Sequence, residues 1–311
     1  MEFIRKTLDF QIEEPTAVTL GKFDGLHRGH DLLMQTVLEY SKKYQLASVA
    51  FTFDIPPRNR VEEIVANVLT TNDEKQYIFE KRGMDYLIEC PFTAEVMSME
   101  PKDFIAWITK VLHMKVVVVG DDFRFGHKRA GDYHTLQQYE SEYGYQTVVI
   151  DKLKDLNRDI SSTYVREKIA DGNIKKANEL LGYKYFIKSE ILHGKKLGRT
   201  IGVPTINMIL PPHKLLPPNG VYVTEVLVDG KTYMGVTNIG CKPTVSDTNV
   251  VGVETYIDQF NQDVYGEKIV VSFVKFIRPE QKFNSIEELQ AQMRSDIEVS
   301  RKYYREYLMK V

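Results

Sequence analysis

Two textures of apolar and polar positions follow one another along this chain. Through residue 150, short apolar, β-branched runs at 17–20, 47–53, 86–90, 115–119 and 147–150 alternate with helical patterns. Runs so short and nearly continuous are those of strands covered on both faces, and they predict a doubly wound parallel sheet. Between them, Thr71 followed by Glu74 predicts a capping box for a helix through Lys81. Pro101 suits the first turn of a helix carrying Phe104, Ile105, Trp107 and Ile108. A helix pair over 162–170 and 174–181 is broken at Asp171-Gly172, and Gly182 supplies its C-cap. From Tyr185 the pattern turns to short alternating strands at 220–228, 232–237, 250–257 and 269–276, punctuated by Gly and Pro. These predict an antiparallel barrel or sandwich. Over 285–308 the stripe of Ile286, Leu289, Met293 and Ile297 predicts a terminal helix packing its apolar face on that barrel. The expected organisation is an α/β domain over 1–184 and a β domain with a C-terminal helix over 185–311.

Ligands of a doubly wound sheet bind beyond the carboxyl ends of its strands, where the loops opening at Gly21, Phe53 and Gly120 are expected. The first is the most informative. VTLGKFDGLHRGH, residues 18–30, ends an apolar run at Gly21, passes Gly25 and Gly29, and sets His27 and His30 at the opening of an amphipathic segment. Glycines let backbone N–H groups approach an anion, and the first turn of a helix offers unpaired donors and a partial positive charge. Residues three apart share a helix face, so both imidazoles can reach one phosphate chain. A cap or surface role is the plain alternative for either histidine. The spacing is poor for zinc, although Asp24 and Asp31 keep magnesium open. The stretch contains neither GxxxxGK[ST] nor GxGxxG.

Composition narrows the partners. The 311 residues suffice for two domains with separate cores, and a formal net charge of -2 gives no general attraction to nucleic acid. No uncharged apolar stretch is long enough to span a bilayer, and MEFIRKTLDFQIEEP has no basic region followed by a long apolar run. Cys90 and Cys241 fall in different expected domains and form no CxxC, so they are expected to be reduced. The chain is expected in the cytoplasm, acting on small molecules, without nucleic-acid or membrane partners.

Three ordered stretches in the first half carry a resemblance. VTLGKFDGLHRGH resembles the nucleotidyltransferase superfamily, while GDDFRFGHKRAGD (120–132) and ISSTYVREKIADGN (160–173) resemble the other signatures of the bacterial bifunctional riboflavin kinase/FAD synthetase family. In the second half HGKKLGRTIGVPTIN (193–207) is similar to the flavokinase signature, and GVYVTEV, GVTNIGCKPT, VETYIDQFNQDVYG and VSFVKFIRPEQKF continue the match. The resemblance implies an N-terminal nucleotidyltransferase domain that adenylylates FMN to FAD with release of pyrophosphate. It implies a C-terminal flavokinase barrel that phosphorylates riboflavin to FMN. Both steps would use ATP and Mg²⁺.

Site residues follow from the same resemblance. Gly21, Phe23, Asp24, Gly25, His27 and His30 are implied at the ATP of the adenylyltransferase, with the two histidines on the triphosphate and transition state. Ser162, Thr163 and Arg166 are implied on the outgoing phosphates, and Asp122, Phe123, Arg124 and Phe125 at the flavin. In the kinase, Gly194, Lys195, Gly198, Arg199, Gly202, Pro204 and Thr205 are implied at ATP, and Thr205 and Asn207 at Mg²⁺. Glu254 is implied as the base, and Arg278, Arg294 and Asp296 are candidates for closing over the flavin.

Elementary geometry supplies a reading beside each role. Thr205 and Asn207, two apart in an extended segment, project to one side. Along VVGVETYI the residues Val251, Val253, Thr255 and Ile257 share one face, which leaves Gly252, Glu254 and Tyr256 on the other. Plainer roles are an N-cap at Ser161 to Thr163, core-packed aromatics at 123–125, a solvent-facing Glu254, and a surface ion pair for Arg294 and Asp296. The chain departs from the family where Ile55 precedes Pro56-Pro57 in place of a histidine, Tyr164 replaces an arginine, Lys22 an asparagine and Val203 a phenylalanine. Arg58, Arg60 and Lys22 are the cations available to compensate. A kinase with a weakened first domain, or a flavin-sensing binding protein, are the alternative functions.

Overall fold

The computed structural model describes residues 1–54, 67–192, 202–242 and 250–309, and the chain forms two compact units, Met1–Ser162 and Thr163–Val311. In the first unit the strands are β1 (Glu2–Arg5), β2 (Thr16–Leu20), β3 (Ala47–Phe53), β4 (Tyr86–Cys90), β5 (Met114–Gly120), the short pair β6 (Arg124–Phe125) and β7 (Gly131–Asp132), β8 (Gln146–Ile150), and the small hairpin β9 (Lys154–Asp155) and β10 (Arg158–Asp159). Six of them form one sheet in the order β1-β4-β3-β2-β5-β8, with every pairing parallel. Each apolar run of the sequence is one of these strands. The edge strand β1 is an addition, four residues too short to stand out by periodicity.

Helices α1 (Arg28–Tyr44), α2 (Asn72–Lys81), α3 (Ala94–Ser98), α4 (Pro101–Val111), α5 (Tyr133–Gln138) and α6 (Glu140–Tyr143) connect the strands. From β2 through β3 to β4 the chain steps one way along the sheet, and from β4 to β5 it steps back across β2. Right-handed crossovers therefore place α1 and α2 on one face and α4 on the other. Phe104, Ile105 and Ile108 of α4 pack with Val18, Leu20, Val49, Phe51, Ile88 and Cys90. Strand alternation then turns Thr19, Thr52 and Glu89, all buried, toward α1 and α2. The order reverses at β2, so the carboxyl ends of β2 and β5 flank the crevice in which such sheets bind ligands. Thr71 and Glu74 form the expected capping box of α2, and Pro101 opens α4.

The second unit carries α7 (Ser162–Ala170) and α8 (Ile174–Leu181), with Gly182 left-handed at the C-cap. The Asn178 side chain ties α8 to the barrel by donating to the Phe273 carbonyl at 2.9 Å and accepting from the Tyr185 N–H at 2.8 Å. Of the two β architectures the sequence allowed, the structure has the barrel. Strands β11 (Phe186–Leu192), β12 (Thr205–Met208), β13 (Gly220–Val228), β14 (Lys231–Lys242), β15 (Val250–Ile257) and β16 (Lys268–Pro279) close in the order β11-β12-β15-β14-β13-β16. Inside it, the fully buried hydroxyls of Thr224, Thr237 and Thr255 bond in a chain at 2.8 and 2.9 Å. Helix α9 (Ile286–Leu308), capped by Ser285, presses Ile297 and Met293 on Val203, Val221, Met234 and Val236. Ile286, expected on that apolar stripe, is 54 % exposed, because the first turn of α9 overhangs the contact. Among the described residues no helix is long and apolar enough to cross a membrane.

Candidate active sites

Beyond β2 the chain turns through Gly21, Lys22, Phe23, Asp24, Gly25 and Leu26 before His27 caps α1. Phe23 (φ 48°), Gly25 (φ 82°) and Leu26 (φ 37°) are all left-handed, which for two large buried side chains is strained backbone. Packing and hydrogen bonds hold it. A Cβ on Gly25 would meet Leu69 at 2.7 Å. The Gly25 N–H donates to the Thr70 hydroxyl at 3.0 Å, Asp24 Oδ1 accepts the N–H groups of Leu69 (2.8 Å) and Thr70 (3.2 Å), and the Ser162 hydroxyl donates to the Asp24 carbonyl at 2.7 Å. The Asp24 carboxylate thus shapes the loop. Thr163 and Arg166 follow on α7 and belong to the second compact unit.

The two histidines meet as expected, with rings stacked at 3.9 Å and Phe23 set edge-on to His30 at 5.4 Å. Burial pushes His27 down to about 4, with Asp122 and Asp24 acting against it. Burial first, then His27 and Lys75, hold His30 well below the usual imidazole range. Both rings are therefore neutral near pH 7 and present N–H donors and lone pairs. Among the described residues neither Nδ1 has a hydrogen-bond partner, though both atoms are buried. Buried polar atoms without a partner at a strained loop make this a candidate ligand site.

Across the crevice, Asp122 is exposed and ion-paired with Lys152 at 3.1 Å. Phe125 is 7 % exposed and packs on Phe104 at 5.5 Å, so its ring belongs to the core. Half-buried Phe123 stacks on it at 5.5 Å, and the exposed Arg124 guanidinium donates to the Phe123 carbonyl and stands 3.8 Å from Asp132. Of this group Asp122 and Arg124 are exposed and Phe123 is half-buried.

In the second unit a cavity of about 270 Å³ lies between the barrel wall and α9, lined among others by Thr205, Asn238, Glu254, Tyr256, Arg278 and Asp296. The expected alternation of β15 holds, since Val253, Thr255 and Ile257 are buried while Glu254 and Tyr256 face the cavity. In register, Glu254 lies between Asn207 on β12 and Asn238 on β14, and Thr205 lies beside Tyr256. Gly202 (φ 73°) and Pro204, both exposed, lead into β12. Asp296 is 4 % exposed and accepts from two nitrogens of the Arg278 guanidinium, Nη2 at 2.6 Å and Nε at 3.0 Å. That makes it a buried partner, whereas Arg294 is exposed and absent from the lining. Gly194, Lys195, Gly198 and Arg199, like Ile55, Arg58 and Arg60, lie outside the described residues. Asn238 was not singled out by the sequence. Its signal was the register opposite Glu254, which only the folded sheet displays.

The model of the FAD synthetase family matches residues 9–164, and that of the riboflavin kinase family matches 181–304. Two proteins named bifunctional riboflavin kinase/FMN adenylyltransferase are similar end to end. The one from Listeria monocytogenes is 34% identical, covering 92% of each chain, and the one from Escherichia coli K12 is 36% identical, covering 94% of each. The chain belongs to the bifunctional riboflavin kinase/FMN adenylyltransferase family. A solved structure bearing the name macrolide-efflux protein, from Streptococcus pneumoniae, superposes with a TM-score of 0.85 at 30% identity and covers 96% of this chain and 98% of that one. That name describes the other protein; both family models matched here are of flavin enzymes.

Two buried ionisable groups at the polar face of the sheet gave no sequence signal. Lys75 is 5 % and Glu89 3 % exposed. Burial pushes Glu89 up to about 7 against the pull of Lys75. Between pH 7 and its usual 4.5, folded Glu89 holds a proton that the unfolded chain releases, so it adds stability as pH falls. His27 does the opposite: the unfolded imidazole accepts a proton below 6.5 that the folded one refuses until about 4, and stability is lost as pH falls through that window. Each contributes about 3 kcal/mol, and the two slopes offset one another. In Glu89→Gln only the histidine slope remains. Thermal unfolding of E89Q from pH 8 to pH 4.5 is expected to start above wild type and fall more steeply. Parallel profiles would contradict this assignment.

Proposed function

We propose that the second unit transfers the γ-phosphoryl group of ATP to the ribityl hydroxyl of riboflavin, and that the first unit transfers the adenylyl group of a second ATP to the resulting FMN. The functional division proposed is 1–184 and 185–311. The observation that supports it is the presence in one chain of a strained loop at the sheet's switch point, with two neutral imidazoles, and of a barrel cavity whose wall carries Glu254 and Thr205.

In the kinase half, Glu254 accepts the hydroxyl proton while the oxygen attacks the γ-phosphorus, and ADP departs as its bridging P–O bond breaks. Thr205 and Asn207 offer two neutral oxygens on one side of β12, a donor set that suits Mg²⁺ shared with phosphate and water. Bound there, the ion would neutralise charge on the transferring phosphate oxygens. Arg278, fixed by Asp296, is the cation of the wall turned toward the flavin.

In the adenylyl half, an oxygen of the FMN phosphate attacks the α-phosphorus of ATP and pyrophosphate leaves. An ionised phosphate has no proton to give up, so the site's work is positioning and stabilisation of charge. His27 and His30 donate to the phosphate chain together with the backbone N–H groups of the loop, and Phe123 and Arg124 receive the flavin and its phosphate. The proposed compartment is the cytoplasm, where ATP is at hand and the free Cys90 thiol persists.

Purified protein given riboflavin, ATP and Mg²⁺ is expected to form FMN and then FAD with pyrophosphate. Supplying FMN directly isolates the second step. A chain that yields FMN but never FAD would overturn the assignment of the first unit.

A further inference from the structure

Lysines are almost never buried without a paired charge. Lys75, on the first turn of α2, is 5 % exposed, yet among the described residues its ammonium has neither hydrogen bond nor ion pair. The acidic groups whose fields reach it are Glu89, Asp24 and Asp54, and its own field reaches His30. The helix that carries it is built against the phosphate loop: Gly25 and Asp24 bond to Thr70 and Leu69 just before α2, and Phe79 of α2 meets Phe23 edge-on at 5.3 Å. Beneath it, Thr19, Thr52 and Glu89 make the sheet face polar at the carboxyl ends of the strands.

The two imidazoles leave positive charge for other residues to supply, and Lys75 is the buried one of these. His27 and His30 are neutral, so they bring donors without a full positive charge, whereas a polyphosphate brings several negative charges. We propose that Lys75 is the cationic partner of the phosphate chain bound at the His27–His30 loop, and of the leaving pyrophosphate in particular, its ion pair being completed by the ligand. Burial pushes Glu89 up to about 7, so at pH 7 about half of it carries a proton and only part of its charge offsets the ammonium. The proposal rests on the adenylyl-transfer reading of this loop and adds a residue to it.

The test runs the reaction backwards on the full chain with FAD and inorganic pyrophosphate. A pyrophosphate oxygen attacks the adenylyl phosphorus, the bond to the FMN phosphate breaks, and ATP and FMN form. In Lys75→Met the KM for pyrophosphate is expected to rise about 10- to 100-fold, the worth of a charged hydrogen bond, while the KM for FAD holds. Lys75→Arg should recover much of the loss, and riboflavin phosphorylation should be unchanged in both. Lys75→Gln gives the same readout if the methionine variant fails to fold. An unchanged pyrophosphate KM in K75M overturns the proposal, as does a rise in both KM values that arginine does not relieve. Wild-type protein that interconverts FMN and FAD in neither direction would instead overturn the reading of the loop itself.

Discussion

Glu254→Gln is expected to lower the rate of FMN formation about 10³-fold, within the usual worth of a general base, and to leave FAD formation from supplied FMN intact. Glutamine keeps the size and much of the hydrogen bonding of glutamate but cannot take the hydroxyl proton. The residue lines the cavity from β15, in register between two asparagines, Asn207 and Asn238. A glutamate merely facing solvent would tolerate the change. The decisive measurement is the turnover number with saturating riboflavin, since a change confined to KM would make Glu254 a binding group and leave the base to be found elsewhere.

The second large effect belongs to the histidine pair. His27→Ala and His30→Ala are each expected to cut FAD formation about 10²- to 10³-fold, as loss of a preorganised donor does, with FMN formation preserved. The rings are stacked at 3.9 Å and hold one another's orientation, so the double variant should lose less than the product of the single losses. Rates of both half-reactions on one preparation decide the matter. A parallel fall in both would signal unfolding, and retained FAD formation would remove the imidazoles from the chemistry.

Much of this was legible because it rests on short-range periodicity. The parallel strands announce themselves as buried β-branched runs, α2 by Thr71 and Glu74, α4 by Pro101, and the cavity face of β15 by strict alternation about Glu254. Long-range features were illegible. Lys75 reads as an ordinary polar residue of an amphipathic helix, and its burial shows only in the folded unit, where the chain just before α2 is tied to the loop at Thr70. Asp296 reads as half of a surface pair, and becomes interior because α9 settles on the barrel beside Arg278. The aromatic motif at 123–125 divides its rings between core and ligand side by the packing of Phe125 on Phe104, which motif spacing does not encode.

The hydrogen bond from Ser162 to the Asp24 carbonyl joins residues 138 apart in the chain. On a ribosome the glycine-histidine loop emerges early and Leu69 and Thr70 follow, but the last of the hydrogen bonds that hold it arrives only when synthesis has reached the final residue of the first unit. The nascent chain therefore carries this loop one hydrogen bond short for nearly half of translation. The full set of hydrogen bonds around it closes only once that last hydroxyl is free of the exit tunnel.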